Sequence, residues 1–220
     1  MESYSWMVLF HIMLLVFWLG TDVGVFLAAK MSERSDLSVE TRGTVMQLGM
    51  VLDRLPRTGV ILILPSGFTL LDRLGLVSLP TALLALIWVA AAAWAIVMWS
   101  GFLKPHSAVE ALSHKINFFV HVLLVAVLAY VLFVLWGTAL PVWAWAKILC
   151  VACVLVCGIA LDVTFKPAVI AFTDIMTNGA NEERDERYRI AIRPVYRWVL
   201  GIYFFVILAA YFGVVKPAFV

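Results

Sequence analysis

The run TGVILILPSGFTLL at residues 58–71 is apolar but interrupted by Gly59, Pro65 and Gly67, with Arg57 and Asp72 at its flanks. It is shorter than the about 20 residues needed to cross a hydrocarbon core of roughly 30 Å. Five other apolar runs, at about 5–29, 79–103, 116–137, 141–165 and 195–215, meet that length. Whether the short run crosses decides the side on which every later loop lies. If it does, 13 of the 16 Lys and Arg residues fall in segments 30–57, 101–116 and 165–197, and only Arg73, Lys147 and Lys216 lie opposite. If it does not, the tally is 8 against 8. Positive charge collects on the cytoplasmic side of membrane proteins, so the sequence predicts six crossings with both termini outside.

Working outward, the composition agrees. Apolar residues make up 64% of the 220-residue chain and charged residues 14%, with a mean hydropathy of +1.02. Soluble proteins hold roughly 45–50% and about 25%. A chain this apolar cannot hide its surface from water, which excludes a soluble enzyme, a nucleic-acid binder and a disordered protein. Strands of a membrane barrel would alternate apolar and polar residues, and these runs do not. The expected fold class is all-α integral membrane: one transmembrane domain, residues 1–220, in a cell inner (plasma) membrane, with the lipid bilayer as its first partner. The N-terminus lacks a basic region and a small-residue cleavage site, so the first run is expected to stay as a span.

Two segments lie between spans on the cytoplasmic side. In 30–57, Ser38-Val39-Glu40-Thr41 precedes Val45, Leu48, Leu52 and Leu55 at helical spacing, the pattern of a helix lying along the membrane surface. In 166–194, Pro167 suits the first turn of a further helix, Asn178-Gly179 its end, and residues 181–193 a charged, solvated helix. Tyr4, Trp6, Trp136, Trp143 and Trp145 form the expected outer aromatic belt.

Ionisable groups in a span cost roughly 2.5–3.5 kcal/mol at the helix centre and therefore face protein. His11, Trp18 and Asp22 share one face of the first span, with Gly20 and Gly24 forming a GxxxG pair for close helix approach. His114, Asn117 and His121 share a face of the fourth. Their depths, His11 near the outer third and His121 near the inner, favour two separate sites. Asp22, Arg54, Arg57, Asp162, Lys166 and Arg197 gather at the inner ends, with Asp22–Arg57 the expected pair. They either staple helix ends or line a pocket for an anionic ligand, a porphyrin propionate or a quinone head-group. Pro65 breaks the second span, where unpaired backbone is tolerated only against protein or water and often lines a binding site. Cys150, Cys153 and Cys157 share a helix face and read either as a Cu(I) thiolate trio or as small apolar residues.

His11, Trp18 and Gly20 give H-x6-W-x-G near the outer start of an N-terminal helix, followed by a cytoplasmic loop and a Pro/Gly-containing second helix. Over about residues 4–137 this resembles the membrane superfamily that includes CopD-type copper-resistance proteins and HemJ-type protoporphyrinogen oxidases. The resemblance implies His11 as a ligand of haem b, or copper handling. The lysine that partners that histidine on the third helix of the HemJ-type proteins has no counterpart, since residues 79–100 contain neither Lys nor His.

The functional expectation is a membrane protein that binds haem or a related redox cofactor and acts in electron transfer, a membrane oxidoreductase in its catalytic form. His11 and His121 are the expected metal ligands, and Trp18, Arg54 and Arg57 complete the cofactor site. Asp22, Asn117, Asp162, Lys166 and Pro65 line the polar pocket, and a quinone or a redox protein is the partner. The alternatives are a carrier or channel for copper or a small solute, and a non-catalytic subunit docking a partner through 181–193.

Overall fold

The computed structural model describes residues 2–105, 107–135 and 140–217. Met1, Trp136 and Val220, on which expectations about the termini and the aromatic belt rest, lie outside the described residues. Helices run α1 Glu2–Ser32, α2 Val39–Leu52, α3 Arg54–Arg73, α4 Thr81–Leu103, α5 Ala108–Leu135, α6 Val142–Asn178 and α7 Glu182–Val215, with no strand among the described residues. Five of them (α1, α4, α5, α6 and α7) are long and apolar enough to cross a membrane. The protein is therefore an all-helical, multi-pass membrane protein.

The packing is that of a protein whose solvent is lipid. On α4, Ala91, Trp94, Met98 and Gly101 are buried while Leu86, Val89 and Ile96 are exposed. Small and polar residues face protein, and branched apolar ones face outward. Contacts divide the chain into two compact units, residues 1–25 with 50–117, and residues 26–49 with 118–220.

In the first unit α3 and α4 form an antiparallel hairpin. Its turn uses Gly75 at φ 68°, a conformation that favours glycine, and the Asp72 carboxylate accepts from the Leu79 N–H at 3.0 Å. Two indoles fix the register: Trp88 Nε1 donates to Thr69 Oγ1 at 3.1 Å and Trp99 Nε1 to Thr58 Oγ1 at 3.2 Å. The two bonds are about three turns apart on each helix, so a slip of one residue breaks both.

In the second unit α6 and α7 form the other hairpin. Gly179 (φ 81°) ends α6 where Asn178-Gly179 was expected to, and the Asn181 side chain caps α7 by accepting from the Arg184 N–H at 2.8 Å. Segment 166–194 differs from the expected loop in that the two long helices extend into it from either side, α6 to Asn178 and α7 from Glu182. Pro167 lies inside α6 and Pro194 inside α7. Each proline removes one helical hydrogen bond, at a cost of about 3 kcal/mol. The offset is a buried cluster on either side of them, with Ala168, Ala171, Phe172 and Ile175 against Tyr188, Ile192, Val195 and Tyr196.

Helix α2 begins as expected, with Ser38 Oγ accepting from the Thr41 N–H at 3.2 Å. Its expected apolar stripe is only partly its packing face: Leu48 is exposed, Val45 and Leu52 are half-buried and Leu55 falls in α3, whereas Arg42, Gly43 and Gly49 are buried. Gly43 leaves room for Met176 of α6, whose Cε would lie 2.6 Å from an added Cβ. The exposed part of the stripe suits a helix that meets lipid on one side and protein on the other.

Arg42 anchors this packing. Its side chain is fully buried; Nη1 donates to Asp185 Oδ1 at 2.7 Å and Nε to the Ser32 carbonyl at 2.7 Å. Ser32 Oγ in turn shares a 2.7 Å hydrogen bond with the Tyr188 hydroxyl, and Tyr196 donates to Glu33. Removing one partner of a buried pair strands the other charge. Asp185→Ala should therefore cost about 3 kcal/mol, a fall of roughly 6–12 °C in the unfolding midpoint in detergent for a chain of this size. Arg42→Met combined with Asp185→Leu should recover most of that loss.

Candidate functional site

The first unit brings the α1 motif onto α3, which is continuous where a break at Pro65 was expected. α3 continues through Pro65, which has no N–H to give, and the hydroxyls after it take up carbonyls of the same turn. Ser66 Oγ donates to the Ile63 carbonyl at 3.0 Å and Thr69 Oγ1 to the Pro65 carbonyl at 2.9 Å. Ser66 is completely buried, and its oxygen lies 2.7 Å from His11 Nδ1. A serine hydroxyl has one proton. That proton can turn either to the Ile63 carbonyl or to His11; while it stays on Ile63, the oxygen accepts and His11 carries its ring proton on Nδ1. Metal-ligating histidines have this arrangement, the second nitrogen donating to an oxygen that fixes the tautomer and ring orientation. A chain of contacts continues from Thr69 to Trp88, whose ring centre lies 6.2 Å from that of Phe10 beside His11.

Close approach of α1 and α3 depends on glycines, but on different ones from those expected. A Cβ on Gly59 would lie 2.9 Å from Trp18 Cβ, and one on Gly67 would lie 3.6 Å from His11 Cε1. Of the GxxxG pair, Gly24 meets Leu52 at 3.1 Å while Gly20 faces open space. The buried Trp18 indole fills the groove, so α3 rather than α1 supplies the small residues.

A second polar cluster sits where α3 starts, α4 ends and α5 begins. Arg57, Met98, Gly101, Phe102, Glu110, Ser113, His114 and Asn117 line an open recess of about 20 Å³, room for about one water molecule. Trp94 Nε1 donates to Asn117 Oδ1 at 2.6 Å, which turns the amide nitrogen toward Ser113 Oγ at 3.4 Å. Arg57 Nε is held by Asp53 at 2.6 Å, and the Arg54 guanidinium lies 5.3 Å from the centre of Phe102. Arg54 Nε is buried with no hydrogen-bond partner among the described residues. Asp53 holds Arg57 from one turn away on the same chain segment, and Asp22, the expected partner of Arg57, is half-buried on α1.

The predicted residues thus fall into separate groups. His11, Trp18 and Pro65 come together. Arg54, Arg57 and Asn117 lie around the recess; Arg57 is nine residues from Ser66 on one helix, roughly 14 Å along its axis. His121, half-buried Asp162 and exposed Lys166 belong to the second unit, where the His121 ring lies 4.0 Å from the Cβ position of Gly158. Cys150 and Cys157 are buried and free, and Cys157 Sγ packs against Gly201 at 3.1 Å from its Cβ position. Trp145, expected in the outer belt with Trp143, is buried; residues two apart on a helix face opposite ways.

Among the described residues no three His, Cys, Asp or Glu converge on a point that could hold a metal ion. No family model, curated protein or solved structure matches the chain.

Sequence reading pointed to Pro65-Ser66-Gly67 as backbone lining but missed the Ser66 hydroxyl's contact with His11, Thr69, and the indole nitrogens of Trp88, Trp94 and Trp99. Overpacking a tight contact costs about 1–3 kcal/mol. Gly59→Ala should therefore lower the detergent unfolding midpoint by several degrees, and Trp18→Phe in the same chain should recover little, because the clash is with Trp18 Cβ.

Proposed function

We propose that the protein is a six-crossing inner-membrane redox protein that binds a b-type haem or a related planar cofactor through His11 and passes electrons to a quinone or a redox protein. The sixth crossing is α3, whose 20 residues span about 30 Å. Both termini lie outside, in keeping with the 13 to 3 division of Lys and Arg. A single observation carries the reading: the buried Ser66 Oγ, also bonded to the Ile63 carbonyl, lies 2.7 Å from His11 Nδ1, a contact that suits a ring protonated on Nδ1 and ligating through Nε2. The H-x6-W-x-G resemblance to the CopD- and HemJ-type superfamily supports the same residue.

Haem, when bound, supplies one-electron transfer. The chain's own residues do the rest. Ser66 orients the His11 ring, Trp18 against Gly59 sets the spacing of α1 and α3, and the Thr69–Trp88 bond ties α3 to α4. Water is kept out by the apolar surroundings of a span.

The recess near Arg57 favours a second reading, a carrier that admits a copper ion or another small solute at the helix ends. Sealed-vesicle uptake separates the two: transport lost with Asn117→Leu, with spectra unchanged, supports the carrier.

The redox reading is tested by visible spectroscopy of the purified protein with and without added haem. A Soret band should form, His11→Ala should abolish it, and Ser66→Ala should weaken haem affinity by roughly ten-fold or more. A band indifferent to His11, or none at all, overturns the assignment.

A further inference from the structure

One end of the α6–α7 hairpin gathers positive charge. Lys147 lies five residues into α6, about 7.5 Å along its axis. Its Nζ sits 2.5 Å from the position a Cβ on Gly213 would take, so the bare glycine of α7 forms its seat. Lys216 caps α7 in the left-handed conformation, φ 48°, and its Nζ lies 5.5 Å from the centre of Trp143. Gly213 and Lys216 are three residues apart at the end of α7, and Trp143 and Lys147 four apart on α6, so both ammonium groups lie at the same end of the hairpin.

No hydrogen bond or ion pair from a described residue reaches either Nζ. The first acidic residue of α6 is Asp162, fifteen residues beyond Lys147, or about 22 Å. The last acidic residue of α7 is Glu186, further still. The carbonyls at the end of α7 contribute roughly half a negative charge, which does not balance two cations. Beside the lysines, Val142, Leu149, Val214 and Val215 are all exposed, with Val214 74% accessible.

We propose that Lys147 and Lys216 form a binding site for a phosphate group, that of an anionic phospholipid such as phosphatidylglycerol. Two ammonium groups take the phosphate, Trp143 lies at headgroup level, and the exposed valines and Leu149 take the acyl chains. The apolar flank is what selects a lipid over a free phosphate ion. The site is independent of the cofactor reading, since it lies in the other unit from His11.

The test uses the full chain in phosphatidylcholine vesicles containing a minority of phosphatidylglycerol, with lipid retention read by native mass spectrometry. Phosphatidylglycerol should be retained roughly ten-fold above its bulk share. Lys147→Gln with Lys216→Gln should abolish the preference, and Lys147→Arg with Lys216→Arg should keep it. Release of the lipid by millimolar inorganic phosphate would support the phosphate site with a soluble anion as its natural occupant. A preference unchanged in the glutamine variant, or lost equally in the arginine one, would overturn the proposal.

Discussion

A hydrocarbon core offers no hydrogen-bond partner, so any polar group carried into it must meet another within the protein. The first unit is organised around that requirement. His11 meets Ser66, Trp88 meets Thr69, Trp99 meets Thr58, and Trp94 meets Asn117. Each pair joins two different helices. Such bonds contribute only about 0.6 kcal/mol apiece on average within membranes. Their effect is on register more than on stability: apolar surfaces slide past one another at little cost, whereas a displaced indole N–H or hydroxyl is left with no partner. Gly59 and Gly67 complete the arrangement by bringing α1 near enough to α3 for a short polar contact.

The second unit answers the same constraint at the membrane's edge with charge. Arg42 is fully buried with one carboxylate, Asp185, and one carbonyl, that of Ser32, while its Nη2 has no partner among the described residues. A buried pair of this kind is poor evidence for stability. What it does is specify: α2 can dock on the α6–α7 hairpin only where Asp185 is waiting and where Gly43 admits Met176. Outside the helices, the loop pair Arg34–Asp36 is exposed; hydrogen bonding to Arg34 holds the Asp36 carboxyl below its usual range, with no packing consequence.

Membrane spans are legible because composition and run length report them directly, and caps such as Ser38 and Asn178-Gly179 follow from local chemistry. The prolines misled. A proline reads as a helix start when only its own chain is considered, but at Pro167 and Pro194 the facing helix supplies enough apolar contact to carry the helix through. Sequence could group His11 with Trp18 by helical spacing, yet it could not reveal the Ser66 contact. That requires the rotation of α3 about its axis, which no periodicity in a helix polar at both ends and carrying Pro65 in the middle records. Arg42 was visible only as one positive charge among many on the cytoplasmic side. Its burial depends on Asp185, 143 residues away, and on glycines whose role is to leave space.

The account rests most heavily on the hydrogen bond from His11 to Ser66. Nitrogen-15 NMR of the histidine-labelled protein in lipid, with the His11 signals identified by their loss in His11→Gln, reads the protonation of each ring nitrogen directly. A protonated Nδ1 and an unprotonated Nε2, giving way to a tautomer mixture in Ser66→Ala, is the expected result. A proton on Nε2 in the native protein would contradict it, and with it the orientation on which the proposed ligand role depends.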